Sequence, residues 1–132
     1  MRKIIFSLVV ASTLFGCAHT DIQPLTKSTF KVATKAAPAC GPQGAREIAN
    51  KAAAIEVIKR GGDKFIFIGD ESGSTLTGIS GGSIYSRNDQ SMVVKMMAPE
   101  DPNINEALSA REILGPKWAE IVAAGVPSTC TG

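Results

Sequence analysis

The chain has 132 residues, 44% of them apolar, 20% charged and 5% aromatic, with a formal net charge of +2. That length suits one domain with a core of ordinary size. So few aromatic side chains on a near-neutral chain provide neither the basic stripe nor the stacking platform that nucleic acid requires, and no nucleic acid is expected as a partner.

The chain opens with Arg2 and Lys3, continues through an apolar run from Ile4 to Val10, and reaches Leu14-Phe15-Gly16-Cys17. The run is too short to span a bilayer, which takes about 20 apolar residues, and the basic, apolar, small order is that of a secretory signal. The segment ending in Cys17 resembles the lipobox of bacterial lipoproteins, where the leader is cut before a cysteine that then carries acyl chains. The resemblance implies a signal peptide over residues 1–16, a lipidated Cys17, and the membrane as a partner through those chains. One chain holds only marginally at about 0.8 kcal/mol per buried methylene, whereas several hold stably. Phe15 is larger than the residue usually found there in the lipoproteins this segment resembles. Ala18 stands where an Asp commonly retains such proteins in the inner membrane, so the resemblance implies the periplasmic face of the outer membrane. Loss of Arg2 and Lys3 with the leader takes the 14 basic residues to 12, matched by 12 acidic ones.

Of three cysteines, Cys40 and Cys130 remain once Cys17 is lipidated. An even pair bracketing a domain in an oxidising compartment reads as a disulfide. Closing a loop of roughly 90 residues stabilises by about 4–5 kcal/mol in chain-entropy arithmetic. The single histidine, His19, sits beside the anchor, and neither a metal nor a cofactor is expected.

Residues 17–28 read as the lipidated cysteine and a tether, because Ala18 to Ser28 shows no apolar periodicity. Thr29 to Thr34 alternates with period two and predicts an edge strand, ended by Pro38, Gly41 and Pro42. Gln43 to Arg60 is rich in alanine, places Ile48, Ala52 and Ile55 on one face, and stops at Gly61-Gly62, which predicts a helix. Phe65-Ile66-Phe67-Ile68 predicts a central strand buried on both faces. Between Gly69 and Gln90 lie Gly69, Gly73, Gly78, Gly81 and Gly82. That composition predicts a mobile hairpin connection, with ragged strand ends at Ile79 and Ile84-Tyr85 and little weight in stability. Ser91 to Met97 predicts a further strand. Asn103 to Leu114 predicts a helix, broken at Gly115-Pro116 and resumed from Lys117 to Ala124, with Trp118, Ile121 and Val122 inward. The expected fold is a single α+β periplasmic domain over residues 29–132. It has a small sheet of about three strands, an Ala-rich crossover helix and a C-terminal helical segment. If the Phe30 and Phe65 strands run parallel, that crossover is a right-handed βαβ unit.

The chemical motifs are weak. Gly78-Ile79-Ser80-Gly81-Gly82 fits the nucleophile-elbow pattern, which needs a strand before it, a helix after it and a base for the serine. Neither helix nor base is provided, so no catalytic residue and no enzyme activity are expected. Gly69 to Thr75 lacks the Gly-Lys-Ser/Thr ending of a phosphate loop. Asp70 and Glu71 are adjacent and point to opposite sides of an extended chain, which does not suit paired acid and base.

Two resemblances remain. Ala52-Ala53-Ala54-Ile55-Glu56-Val57 followed by Gly61-Gly62-Asp63-Lys64-Phe65-Ile66 is similar to a segment of small uncharacterised proteobacterial envelope lipoproteins, which implies an anchored domain with no assigned chemistry. Asn105-Glu106-Ala107-Leu108-Ser109-Ala110-Arg111 resembles the N-x-x-L-S-x-x-R signature of OmpA-like peptidoglycan-binding domains. That likeness implies Asp70 and Arg111 as ligands for the diaminopimelate of the wall peptide. Here the match departs from the family: Arg111 comes one residue early, a rotation of about 100° on a helix, and the family's Thr-Asp pair is absent. The plainer reading is an amphipathic helix with Leu108 inside and Arg111 in solvent. The favoured expectation is a non-enzymatic, lipid-anchored envelope protein that binds or supports another envelope component. The alternative is direct binding of peptidoglycan.

Overall fold

The structure is a computed structural model that describes residues 17–80 and 83–130, with the backbone alone over 71–80 and 83–88. In chain order it has β1 (Ala18–Pro24), β2 (Thr29–Ala36), a 3-10 turn (Pro38–Cys40) and α1 (Gly41–Lys59). There follow β3 (Lys64–Ser80), β4 (Ser83–Met96), a second 3-10 turn (Ile104–Glu106), β5 (Leu108–Ser109), α2 (Ala110–Leu114) and α3 (Trp118–Ala124). The sheet order is β1-β2-β4-β3-β5, and every neighbouring pair is antiparallel. The α+β expectation holds in its helices, but the sheet has five strands where about three are expected.

The first added strand is β1, formed by residues expected to be tether. Ala18, Thr20 and Ile22 are half-buried in alternation with exposed His19, Asp21 and Gln23, a pattern too polar to register as apolar periodicity. Thr20 and Thr34 share a hydrogen bond of 2.9 Å between their hydroxyls. The turn to β2 is closed by the N–H groups of Leu25 and Thr26, both donating to the Thr29 carbonyl at 2.9 Å. β2 is therefore an interior strand, not an edge.

The second correction concerns Gly69–Gln90. Most of this stretch is ladder, with β3 paired to β4 from Phe65↔Met96 out to Ser80↔Ser83. Its register shifts between Phe67 and Gly69 and again between Leu76 and Gly78. Glycine inside a strand commonly marks such a bulge, so the residues that suggest a loop here accommodate irregularities in a hairpin. Helix cover on one face only, among the described residues, also overturns the reading of Phe65 to Ile68 as buried on both faces. Phe65 is fully buried, whereas Ile68 is 55% exposed.

β2 and β3 each run antiparallel to β4, so they are parallel to one another with β4 between them. The crossover through α1 thus spans an intervening strand, the split form of the βαβ unit. Helix α1 ends in a Schellman motif: Gly61, at φ +86°, donates its N–H to the Ile58 carbonyl at 2.9 Å and Gly62 donates to Val57 at 3.0 Å. α1 lies over one sheet face, against β2 and β4, and packs against α2 and α3 as well. That double cover explains why Ala49, Ala52, Ala53, Ala54, Ile55 and Val57 are all buried. The alanines let the helix approach closely over Phe30, Val32, Phe65, Met92 and Val94, which complete the core. Trp118, Ile121 and Val122 pack against it from α3, as their spacing implies.

The expected helix from Asn103 to Leu114 is instead a 3-10 turn, a two-residue strand and the short α2. The cause is a contact distant in sequence. Asp63, just before β3, accepts hydrogen bonds from the Ser109 hydroxyl at 2.9 and 3.1 Å and from the Arg111 N–H at 3.0 Å. Ala110 donates its N–H to the Asp63 carbonyl at 2.9 Å. These bonds hold Leu108–Ser109 extended beside β3, and α2 begins only after Ser109 caps it by accepting from Glu112. Leu108, placed inside in the amphipathic-helix reading, is 43% exposed.

Candidate functional site

One corner of the domain gathers all three cysteines. Cys17 is exposed, yet its backbone is held from two directions. Its carbonyl accepts from the Ala37 N–H at 2.9 Å, it forms an antiparallel bridge with Thr129, and Ala18 donates its N–H to the Ser128 carbonyl at 2.8 Å. Cys40 and Cys130 are bridged across 90 residues with their Cα atoms 5.6 Å apart, as their parity implies. The bridge ties the start of α1 to the C-terminal segment that flanks Cys17. Gly44 leaves room for it, because a Cβ there would lie 3.1 Å from the Cβ of Cys40 and 3.5 Å from that of Cys130. The Cys17 side chain, with His19, Lys35 and Pro38, borders a shallow depression of about 310 Å³. The result is a free thiol in solvent on a backbone that is fixed in place.

Asp70 lies elsewhere and is already engaged. The bulge at Ile68 turns it toward the face that carries α1, opposite Met92. There it pairs with Arg46 of α1 and accepts from the amide of Gln90, which is 2% exposed. This cluster fastens the first half of α1 to β3 and leaves the carboxylate with a cation and a donor, an arrangement suited to tying elements together. Arg46 and Gln90 have no signal in the sequence, because the contact depends on the bulge.

Arg111 stands in α2, its guanidinium 4.7 Å from the centre of the Trp118 ring. Its backbone is bound to Asp63, and Ser109 pairs with Lys64, six residues before Asp70 on β3. At about 3.3 Å per residue, Asp70 is roughly 20 Å further along the strand. The structure does not bring Asp70 and Arg111 together as a ligand pair. The carboxylate beside Arg111 is Asp63. Burial raises the pKa of Asp63, but the Arg111 N–H, the Ser109 hydroxyl and the positive charges of Arg111 and Lys64 outweigh that and leave it below the ordinary value of 3.8.

Ser80 ends β3 and is paired with Ser83 at the start of β4, so its glycine-flanked pattern joins strand to strand where an elbow joins strand to helix. Gly81 and Gly82 lie outside the described residues. His19 is on β1, paired with Asp21 at 3.0 Å. Among the described residues no group of three or more His, Cys, Asp or Glu converges on a metal site, and no helix is long and apolar enough to cross a membrane. The chain matches no known protein family, no curated protein and no solved structure.

Proposed function

We propose that this chain is a lipid-anchored bacterial envelope protein, held through acyl chains on Cys17 at the periplasmic face of the outer membrane, and that its domain binds or supports another envelope component without catalysing a reaction. The observation that carries the reading is the contrast among the cysteines. Cys40 and Cys130 are bridged, and Cys17 is exposed directly after a basic, apolar and small leader sequence. On this account the anchor belongs to the fold, since β1 begins at the residue after it. A Cys17→Ala variant tests it. Wild-type chain is expected to take up labelled fatty acid and to fractionate with the outer membrane, and the variant to accumulate as unprocessed or mislocalised precursor. Unlabelled wild-type chain, or a variant that fractionates like wild type, contradicts the proposal.

A further inference from the structure

Among the described residues the sheet is covered on one side only, and its open face has two distinct halves. Alternation from buried Phe30, Val32, Thr34 and Ala36 places Lys31, Ala33 and Lys35 on the open face. The registers set Val93 opposite Lys31, Ile66 opposite Lys95, and Asp89 opposite Lys35. The half nearest Cys17 carries mixed charge: His19 paired with Asp21, and Lys35 across from Asp89. The far half carries Lys31 and Lys95 around Ile66, Ile68 and Val93, and the turn beside it adds Lys27 and Leu25, which is 50% exposed. Ile68, at 55% exposure, is the most exposed large apolar side chain among the described residues.

Cys17 belongs to the same face. Ala18, Thr20 and Ile22 turn toward the covered side, so strand alternation puts positions 17, 19 and 21 on the open one. The Lys31 row is aligned with Gln23, six residues from Cys17, or about 20 Å along the strand. An acyl anchor at one end of a face and lysines among aliphatic side chains at its other end give two separated attachments in one plane. Lipid chains paired with a basic patch are a recurrent combination for stable membrane association.

We propose that the open face of the sheet lies flat on an anionic phospholipid surface, with Cys17 anchoring one end and Lys31, Lys95, Ile66 and Ile68 seated at the other. This rests on the anchoring reading above and adds an orientation to it. Lysine ammonium groups reach lipid phosphates while the isoleucines enter the boundary of the acyl region. The face with α2 and α3 then points away from the membrane, toward the envelope component that the domain serves.

The test uses the mature chain from residue 17 without acyl chains, so that its outcome is independent of lipidation. Sedimentation is measured with vesicles of phosphatidylcholine alone and with a third of that lipid replaced by phosphatidylglycerol. Binding is expected to the anionic vesicles, to weaken as salt rises, and to fall at least about 25-fold in Lys31→Glu/Lys95→Glu, at about fivefold for each of the two lysines. An unchanged melting temperature shows that the variant remains folded. In acylated protein on the same vesicles, a fluorophore at Ile68→Cys is expected to be quenched by nitroxide-labelled lipid, and one at Ala119→Cys on α3 is not. Equal binding to both vesicle types, binding unaffected by the charge reversal, dimerisation through this face in place of lipid binding, or equal quenching at the two labels overturns the orientation. Fatty-acid labelling of wild type still decides the anchor separately.

Discussion

The two faces of the sheet are made from alternate residues of the same strands and have different fates. On the covered face Phe30, Val32, Phe65, Met92 and Val94 are essentially inaccessible, because α1 meets them with alanines that permit close approach. On the open face the same strands present Lys31, Lys95, Val93 and Ile66, with Ile68 largely in solvent. Packing accounts for the first set. The second mixes lysines with aliphatic side chains outside the core, the combination on which the proposed membrane-facing orientation rests. β3 shows the difference within four residues, where phenylalanine faces the helices and isoleucine faces out.

Breaking the disulfide that ties the start of α1, on the covered side, to the C-terminal segment has the largest expected effect. Replacing Cys40 and Cys130 by serine is expected to cost about 4–5 kcal/mol at most. Denaturant titration of the variant, and of wild type with and without reductant, measures it; coincident curves would show that the bridge constrains nothing. The two faces are next compared directly. Phe65→Ala is expected to cost about 3–5 kcal/mol, whereas Ile68→Ser is expected to stay within about 0.5 kcal/mol, as an exposed site should. Similar losses at the two positions would mean that the open face is covered in the folded protein.

An effect smaller than the core loss separates the edge of the sheet from both faces. Asp63→Asn weakens the bonds to Ser109 and Arg111 and is expected to cost about 1–2 kcal/mol. Its folded pKa lies below 3.8, so the carboxylate's contribution is complete above the unfolded value and is lost as pH falls through the folded one. The stability gap between wild type and variant should therefore persist at neutral pH and close in acid. A gap that instead widens below pH 4 would reverse the sign assigned to Asp63.

What was legible in the sequence follows how local each cause is. α1 could be read because its apolar spacing and its Gly61-Gly62 stop lie within the helix itself. β1 could not, since an edge strand with only Ala18, Thr20 and Ile22 inward carries little apolar signal. The β3–β4 hairpin was obscured by glycines that serve bulges, and its pairing comes from the register of two strands. The short α2 depends on Asp63, 46 residues before Ser109, and no window around residue 109 contains that information. At the candidate site the disulfide was legible from cysteine parity. The engagement of Asp70 with Arg46 and Gln90 was hidden, because one bulge decides which face Asp70 occupies.

The most direct test of the account is the mass of the N-terminal peptide of the protein purified from the envelope fraction. The account predicts a peptide that begins at Cys17 and carries the added mass of a diacylglyceryl group on its sulfur, with Cys40 and Cys130 recovered as a bridged pair. An unmodified Cys17 within a longer chain, or a mature chain that begins elsewhere, would contradict it.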